Sequence, residues 1–407
     1  MIELRGKFTS AKVFTDNVEE TAIGQIIDML NSKITENAQV RIMPDCHMGK
    51  GSTIGTTIWH EDWKTAKVSP NIVGVDIGCG ITIVKLANKD IDLKQLDEVV
   101  NKMIPSGNNV HETVLENSEL MNWISNGMDI AHVPLDGGTR ERILKSMATL
   151  GGGNHYIELA QDEEGNYWLS VHSGSRGLGV KVATYHQNVA DSGVKKRIIA
   201  QKELIARMKA EGRQSEIQAE LDKIKADNKS VSKTQQYLEG EELEDYLSDM
   251  KFAQQYAEFN RLFMLSRISG LMGFDWREYY NSVHNYIDIR TGIIRKGATS
   301  ARKDEILVIP LNMRDGTLLC KGKGNPDWNY SAPHGAGRKM SRTQAKASID
   351  METYQEQMKD IYTTSVVEST LDEAPDAYKS ADEIIENIKD TATILHHLKP
   401  VYNFKAK

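Results

Sequence analysis

The chain has 407 residues, 40% of them hydrophobic and 26% charged, which is the make-up of a water-facing globular protein with a sizeable core. A formal net charge of −7 excludes a diffuse basic field for coating nucleic acid, so any contact with RNA or a nucleotide must be local. Three cysteines (Cys46, Cys79, Cys320) do not make a disulfide framework, no apolar run approaches the roughly 20 residues that span a bilayer, and MIELRGKFTS lacks a secretory pattern. A cytoplasmic location without membrane contact is expected.

In chain order, apolar periodicity predicts a helix near 17–32, a glycine turn at MPDCHMGKG (43–51) and a strand in GSTIGTTIW (51–59). NIVGVDIGCGITIVKLA (71–87) and YWLSVHSGS (167–175) read as strands, with helices near 92–104 and 139–148 between them. From 195 to 268 the texture turns glycine-poor, with Ile198, Ile199, Ile205, Met208, Ile217, Leu221 and Ile224 at helical spacing. This predicts an inserted helical hairpin without metal ligands, whose Lys195, Lys196 and Arg197 are candidates for guiding RNA. Strands resume at YIDIRTGIIRKGA (286–298) and EILVIPLNM (305–313), and helices near 341–363 and 380–397 close the chain. No repeat or low-complexity linker marks a boundary, so the expectation is one catalytic domain over 1–407, carrying the hairpin at 195–268.

Short glycine-flanked runs deliver the chemistry. DIGCG places the Asp76 carboxylate and the Cys79 thiol three residues apart on a chain free to turn. GGGNH supplies His155, HSGSRG supplies His172, and His284 precedes Asn285. Imidazole, thiolate and carboxylate together suit Zn²⁺ or Mn²⁺, and ligand type does not choose between them. HGAGR (334–338) differs: Gly335 and Gly337 leave room at the backbone, Arg338 can grip a phosphate, and His334 is a candidate nucleophile. Lys50, Arg176, Arg295, Lys296, Arg338 and Arg342 lie beside such runs and could form a positive cleft. In MPDCHMGKG, Asp45, His47 and Lys50 point to phosphate or substrate binding, while adjacent Cys46 and His47 would face opposite ways in a strand and share no metal. His60, His111, His132, His186, His396 and His397 have no such company and read as surface or core.

Taken in order, MPDCHMGKG, GVDIGCG, LGGGNHYIE, VHSGSRGLG, HNYID, RKGA, SAPHGAGR and the lysine of NFKAK resemble the RtcB family of RNA-splicing ligases over nearly the whole chain. The resemblance implies an α+β fold with a strand-rich catalytic body. It implies an enzyme that uses GTP and two Mn²⁺ ions, with Zn²⁺ or another divalent cation open. Its substrates would be RNA 2′,3′-cyclic phosphate or 3′-phosphate ends and 5′-hydroxyl ends, joined in RNA repair or tRNA splicing; an activating partner protein stays open. By the same resemblance Cys79 is shared by both ions, with His155 and His172 completing one site and Asp76 and His284 the other. His334 matches the histidine that is guanylated. Asn154, His155, Tyr156, Ile157, Glu158, His284, Asn285, His334, Gly335, Ala336, Gly337 and Lys405 match nucleotide-holding positions, with Lys407 the alternative to Lys405. Lys50, Arg176, Lys296 and Arg338 are assigned to substrate or phosphate. Where many members carry PGSMG, this chain has PLNMRDG (310–316), a departure that leaves the guanosine contacts of this loop open, with Asn312, Met313 and Arg314 the candidates. The alternative reading is a metal-dependent phosphoesterase that opens cyclic phosphate ends and has no use for His334.

Overall fold

Strands of alternating inward and outward side chains build two large sheets, whose strand ends line one cleft, and among the described residues a two-stranded sheet pairs Ala298–Ser300 with Ser331–Pro333. A computed structural model describes residues 1–219 and 235–407, without the side chains of Lys64 and of 194–201. The larger sheet has seven strands in the order Ile306–Asn312, Gly316–Gly322, Ala392–Lys405, Tyr156–Gln161, Tyr167–Ser173, Gly80–Leu86 and Trp276–Val283, every neighbouring pair antiparallel. The six-stranded sheet runs Ile2–Arg5, Ser10–Val13, Ala38–His47, Ile54–His60, Ile293–Lys296 and Asn285–Asp288. Its second and third strands are parallel. The architecture is α+β.

One face of the seven-stranded sheet packs Val84, Ile157, Leu159, Leu169, Val171 and Phe404 against helical Leu96, Val100, Met264 and Ile268. Its other face gathers Ile81, Ile83, Trp168, Val308, Leu319 and Leu398. The six-stranded sheet buries Val40, Ile42 and Ile58 against Ile26, Met29 and Leu30 of the helix Glu20–Leu30, in a core that also takes Tyr246, Met250 and Tyr256. Helix Glu241–Met272 therefore contributes to both cores.

Several predicted elements shift. Residues 71–79 are not strand: Pro70 begins the short helix Pro70–Val73, where its fixed φ suits the first turn. Gly74 and Gly78 then hold φ of 91° and 72°, so Asp76 and Cys79 lie on a loop that becomes strand only at Gly80. The stretch 341–363 splits into helices Arg342–Ser348 and Met351–Gln357. The helix expected over 380–397 stops at Asn387, and the strand Ala392–Lys405 follows. Its β-branched and aromatic residues, Thr393, Ile394, Val401, Tyr402 and Phe404, fit a strand paired on both sides. MPDCH is the end of a strand, with the turn beginning after it. The hairpin's helices are Arg176–Ala210 and Glu241–Met272, so the first begins well before 195. Leu221 and Ile224 fall outside the described residues, as do the side chains of Lys195, Lys196 and Arg197. Among the described residues no helix is long and apolar enough to cross a membrane.

Candidate active site

Antiparallel order alone brings the ligand candidates together. His155 immediately precedes Tyr156–Gln161, His172 lies near the end of Tyr167–Ser173, Cys79 precedes Gly80–Leu86, and His284 follows Trp276–Val283. In adjacent antiparallel strands, starts and ends alternate along one edge, so these residues meet there. Register makes the meeting tight: His172 faces both Tyr156 and Ile81, and Gly80 faces both Ser173 and Val283.

Two triads result, Asp76/Cys79/His155 and Cys79/His172/His284, with the ligand atoms of each within 4.8 Å of one another. Cys79 Sγ lies 3.4 Å from His155 Nε2 and 3.3 Å from His172 Nε2. His155 Nε2 is 2.9 Å from Asp76 Oδ2, and the Nε2 atoms of His172 and His284 are 3.2 Å apart. By proximity His155 groups with Asp76 and His172 with His284, whereas the resemblance implies His155 with His172 and Asp76 with His284. The cause is topological, because the Tyr167–Ser173 and Trp276–Val283 strands flank the same strand, Gly80–Leu86. His155 Nδ1 donates to the Leu150 carbonyl at 2.9 Å, which turns Nε2 toward the cluster.

The donor set fits divalent cations. Burial, then neighbouring histidine charge, drives His172 and His284 well below the ordinary imidazole range, which keeps both neutral as ligands must be. Burial and then Asp76 push the Cys79 thiol well up, a pressure that a cation at the sulfur reverses. Burial works against the Asp76 charge as well, yet His155 and Arg176 hold its carboxyl below the usual range. Gly174 leaves room for that carboxylate: a Cβ there would stand 1.9 Å from Asp76 Oδ1.

Across the cleft, strand Ala38–His47 carries Asp45, wholly buried. Its Oδ2 accepts from His334 Nδ1 at 2.6 Å and from the His334 amide at 3.1 Å, fixing the imidazole by its far nitrogen. Gly337 lets this loop close on the strand, since at φ 74° a Cβ would lie 2.3 Å from the Asp45 carbonyl oxygen. His334 shares a cavity of about 300 Å³ with Cys79, His172, His284, Tyr156 and Lys405. The Lys405 ammonium, 4% exposed, reaches Glu373 at 2.9 Å and the Asn154 carbonyl at 3.3 Å. Glu158 opens on the same cavity, accepting from Thr317 and Asn403 at 3.0 Å each, and burial raises its carboxyl to about 7.

Most candidates from the sequence meet here, and some do not. Asn154, Asn285, Gly335, Ala336, Gly337 and Arg338 line the cavity. Arg338 donates to the Asp372 and Met340 carbonyls. Ile157 points the other way, into the core, because side chains alternate along its strand. Lys296 is buried with its amine on the carbonyls of Lys50 and Asn71, and burial followed by Lys50 lowers it to about 7. Lys50 itself is exposed, and Arg295 is spent on Ser331, Tyr286 and Tyr330. Arg176 faces a second cavity. Asn312 and Met313 line the first cavity, whereas Arg314 pairs with Asp315 outside it. Lys407 is exposed, its amine on Thr364. His186 and His132 both rest on Asp249, away from the cluster.

Asp45, expected from the sequence in a phosphate- or substrate-binding turn, instead holds His334 from a strand end. Two features escaped the sequence. Glu373, held down to about 2 despite burial by Lys405, Arg342 and Tyr378, anchors the Lys405 end of the cavity. Helix Glu241–Met272 supplies Asn260 and Arg261, both 0% exposed. Arg261 donates to the carbonyls of Gly78 and Ser173 at 2.8 Å each, and Asn260 to those of Thr149 and Gly174. The presumed insertion therefore holds the loops that carry the ligands.

Residues 27–406 match the family described as tRNA-splicing ligase RtcB. The chain is 30% identical over 400 residues to the RNA-splicing ligase RtcB of Escherichia coli strain K12, covering 89% of this chain and 88% of that protein. It is 25% identical over 431 residues to the tRNA-splicing ligase RtcB of Archaeoglobus fulgidus, covering 85% and 82% respectively. Match and architecture define an α+β enzyme of the ligase class. The chain belongs to the RtcB family.

Proposed function

We propose that this protein joins RNA 3′-phosphate or 2′,3′-cyclic phosphate ends to 5′-hydroxyl ends, using GTP and two Mn²⁺ ions through a guanylated His334. The observation that carries the reading is the Asp45–His334 pair opening on the same cavity as the ligand cluster. With Nδ1 held by Asp45, Nε2 is the nitrogen left to form a bond, and Asp45 stabilises the positive charge the ring gains. His334 Nε2 attacks the α-phosphorus of GTP and pyrophosphate leaves. An RNA 3′-phosphate oxygen then displaces the imidazole, and the 5′-hydroxyl of the second strand finally displaces GMP; a cyclic end is first opened by water. Arg338 and the Gly335–Gly337 backbone are suited to hold phosphates, and Asn154 and Asn285 border them. Cations held by Asp76, Cys79, His155, His172 and His284 would supply Lewis-acid stabilisation of charge on phosphoryl oxygens.

Lys405 and Glu158 offer a donor and an acceptor for the base, a pairing that matches the O6 acceptor and the N–H donors of guanine. The acceptor must be ionised, and Glu158 titrates at about 7 in the free protein. GTP affinity should accordingly rise as pH increases from 6 to 8, and Glu158→Gln should bind weakly with that rise flattened. Calorimetric titration across this range checks it. The function itself is tested by incubating the protein with Mn²⁺, GTP and two RNA strands with 3′-phosphate and 5′-hydroxyl ends. Joined RNA together with a protein–GMP adduct is expected. Cyclic-phosphate opening without adduct or joining would instead establish the phosphoesterase.

A further inference from the structure

Asp45 positions a second imidazole. Its carboxylate holds His334, and its carbonyl oxygen accepts from His47 Nδ1 at 3.1 Å. Residues 45 and 47 project from the same face of the strand Ala38–His47, whereas Cys46 between them packs into the core, so His47 borders the same cavity as His334. The stretch is tied down on both sides. His47 pairs with Ile54 across the turn, and the Gln25 side chain binds both the amide and the carbonyl of Gly49.

With Nδ1 on a carbonyl, His47 presents Nε2 as a bare acceptor, and that nitrogen has no hydrogen-bond partner among the described residues. Burial lowers the ring to about 4, the Asp45 carbonyl opposing it and His334 and Arg338 adding to it, so His47 is neutral near pH 7. A carbonyl, unlike the carboxylate behind His334, does little to stabilise a ring that has formed a covalent bond. The ring suits proton acceptance rather than attack.

Only two steps of the proposed reaction take a proton from the attacking oxygen. His334 attacks through a lone pair and the RNA 3′-phosphate attacks as an anion, so neither needs a base. Geometry excludes the sealing step, because GMP departs on the His334 side and the 5′-hydroxyl must enter in line from the side opposite, away from His47. Opening of the cyclic phosphate is left. We propose that His47 is the general base of that step, its Nε2 taking the proton of the attacking water. This rests on the reading above that cyclic ends are opened in this cavity. The water oxygen bonds to phosphorus, and the bond from phosphorus to the 2′-oxygen breaks with its electron pair on that oxygen. The proton held by His47 passes to the same oxygen, leaving a 2′-hydroxyl and a 3′-phosphate. An anionic phosphate beside the ring raises its basicity as substrate arrives, toward the range in which a general base works best.

The test uses the full chain with Mn²⁺, GTP and a 5′-hydroxyl strand, and compares two otherwise identical RNAs that end in 3′-phosphate or in 2′,3′-cyclic phosphate. His47→Gln can still donate to the Asp45 carbonyl but cannot carry a proton away. Its rate on the cyclic end should fall at least about a hundredfold further than its rate on the 3′-phosphate end. In His47→Ala, added imidazole should restore opening of the cyclic end with a pH dependence that follows imidazole's own titration, a rescue that a ring needed only for structure would not show. Equal losses on both ends, no rescue, or a cyclic end opened by His47→Gln as fast as by wild type overturn the assignment. A wild-type protein that opens the cyclic end without joining either RNA overturns the ligase reading instead, and the opening rates of the two variants still decide the role of His47.

Discussion

His334→Ala protein treated with Mn²⁺ and GTP labelled on its α-phosphate should leave a denaturing gel without label, a loss of at least about a thousandfold in adduct formation. No other described imidazole in the cavity is placed to substitute. His172 and His284 turn their Nε2 atoms on each other and His172 reaches Cys79, while His47 gives its Nδ1 to the Asp45 carbonyl. Metal content should not change, because His334 is in neither triad. The variant should still seal an RNA end that already carries GMP, since that step asks only for attack by the 5′-hydroxyl. If it cannot, with metal and fold intact, His334 acts beyond guanylation.

Cys79→Ala should lose both cations, each by more than about a hundredfold in affinity, the upper end of what even outer partners contribute. The sulfur is the one atom common to both triads. The other ligands separate: Asp76→Ala and His155→Ala should weaken the same ion, His172→Ala and His284→Ala the other. Mn²⁺ titration followed by elemental analysis of the five variants decides the partition. Two ions retained in Cys79→Ala would refute the shared sulfur, and loss of one ion in common by His155→Ala and His172→Ala would restore the pairing expected from the sequence.

Much of the site could be read in advance because its residues are tied to local chain chemistry. Cys79 sits where Gly78 and Gly80 let the loop turn into a strand, and His334 stands at the head of a glycine-arginine loop. What the chain could not disclose depends on contacts between distant segments. The division of ligands follows from strand order, which no single motif carries. Arg261 looks like any charge on a helix, and only its burial beneath Gly78 and Ser173 separates it from its neighbours. The strand Ala392–Lys405 was misread because helix-forming residues lead into it and a register shift at Pro400/Tyr402 blurs its alternation. The Ile157 side chain lies in the core because a motif matches residues consecutively, while a strand presents only every second side chain to the cleft.

The candidate cation ligands are scattered between positions 76 and 284, and the pocket most of them border is lined by residues from His47 to Lys405. No local piece of the chain can assemble such a centre, which requires pairings between segments far apart in sequence. An ion that prefers the closed centre to the open chain then favours the finished topology by mass action, about 2.7 kcal/mol when its concentration stands a hundredfold above its dissociation constant. Added cation should therefore lengthen the protein's survival of heat or proteolysis, a shift that thermal melts with and without Mn²⁺ would read.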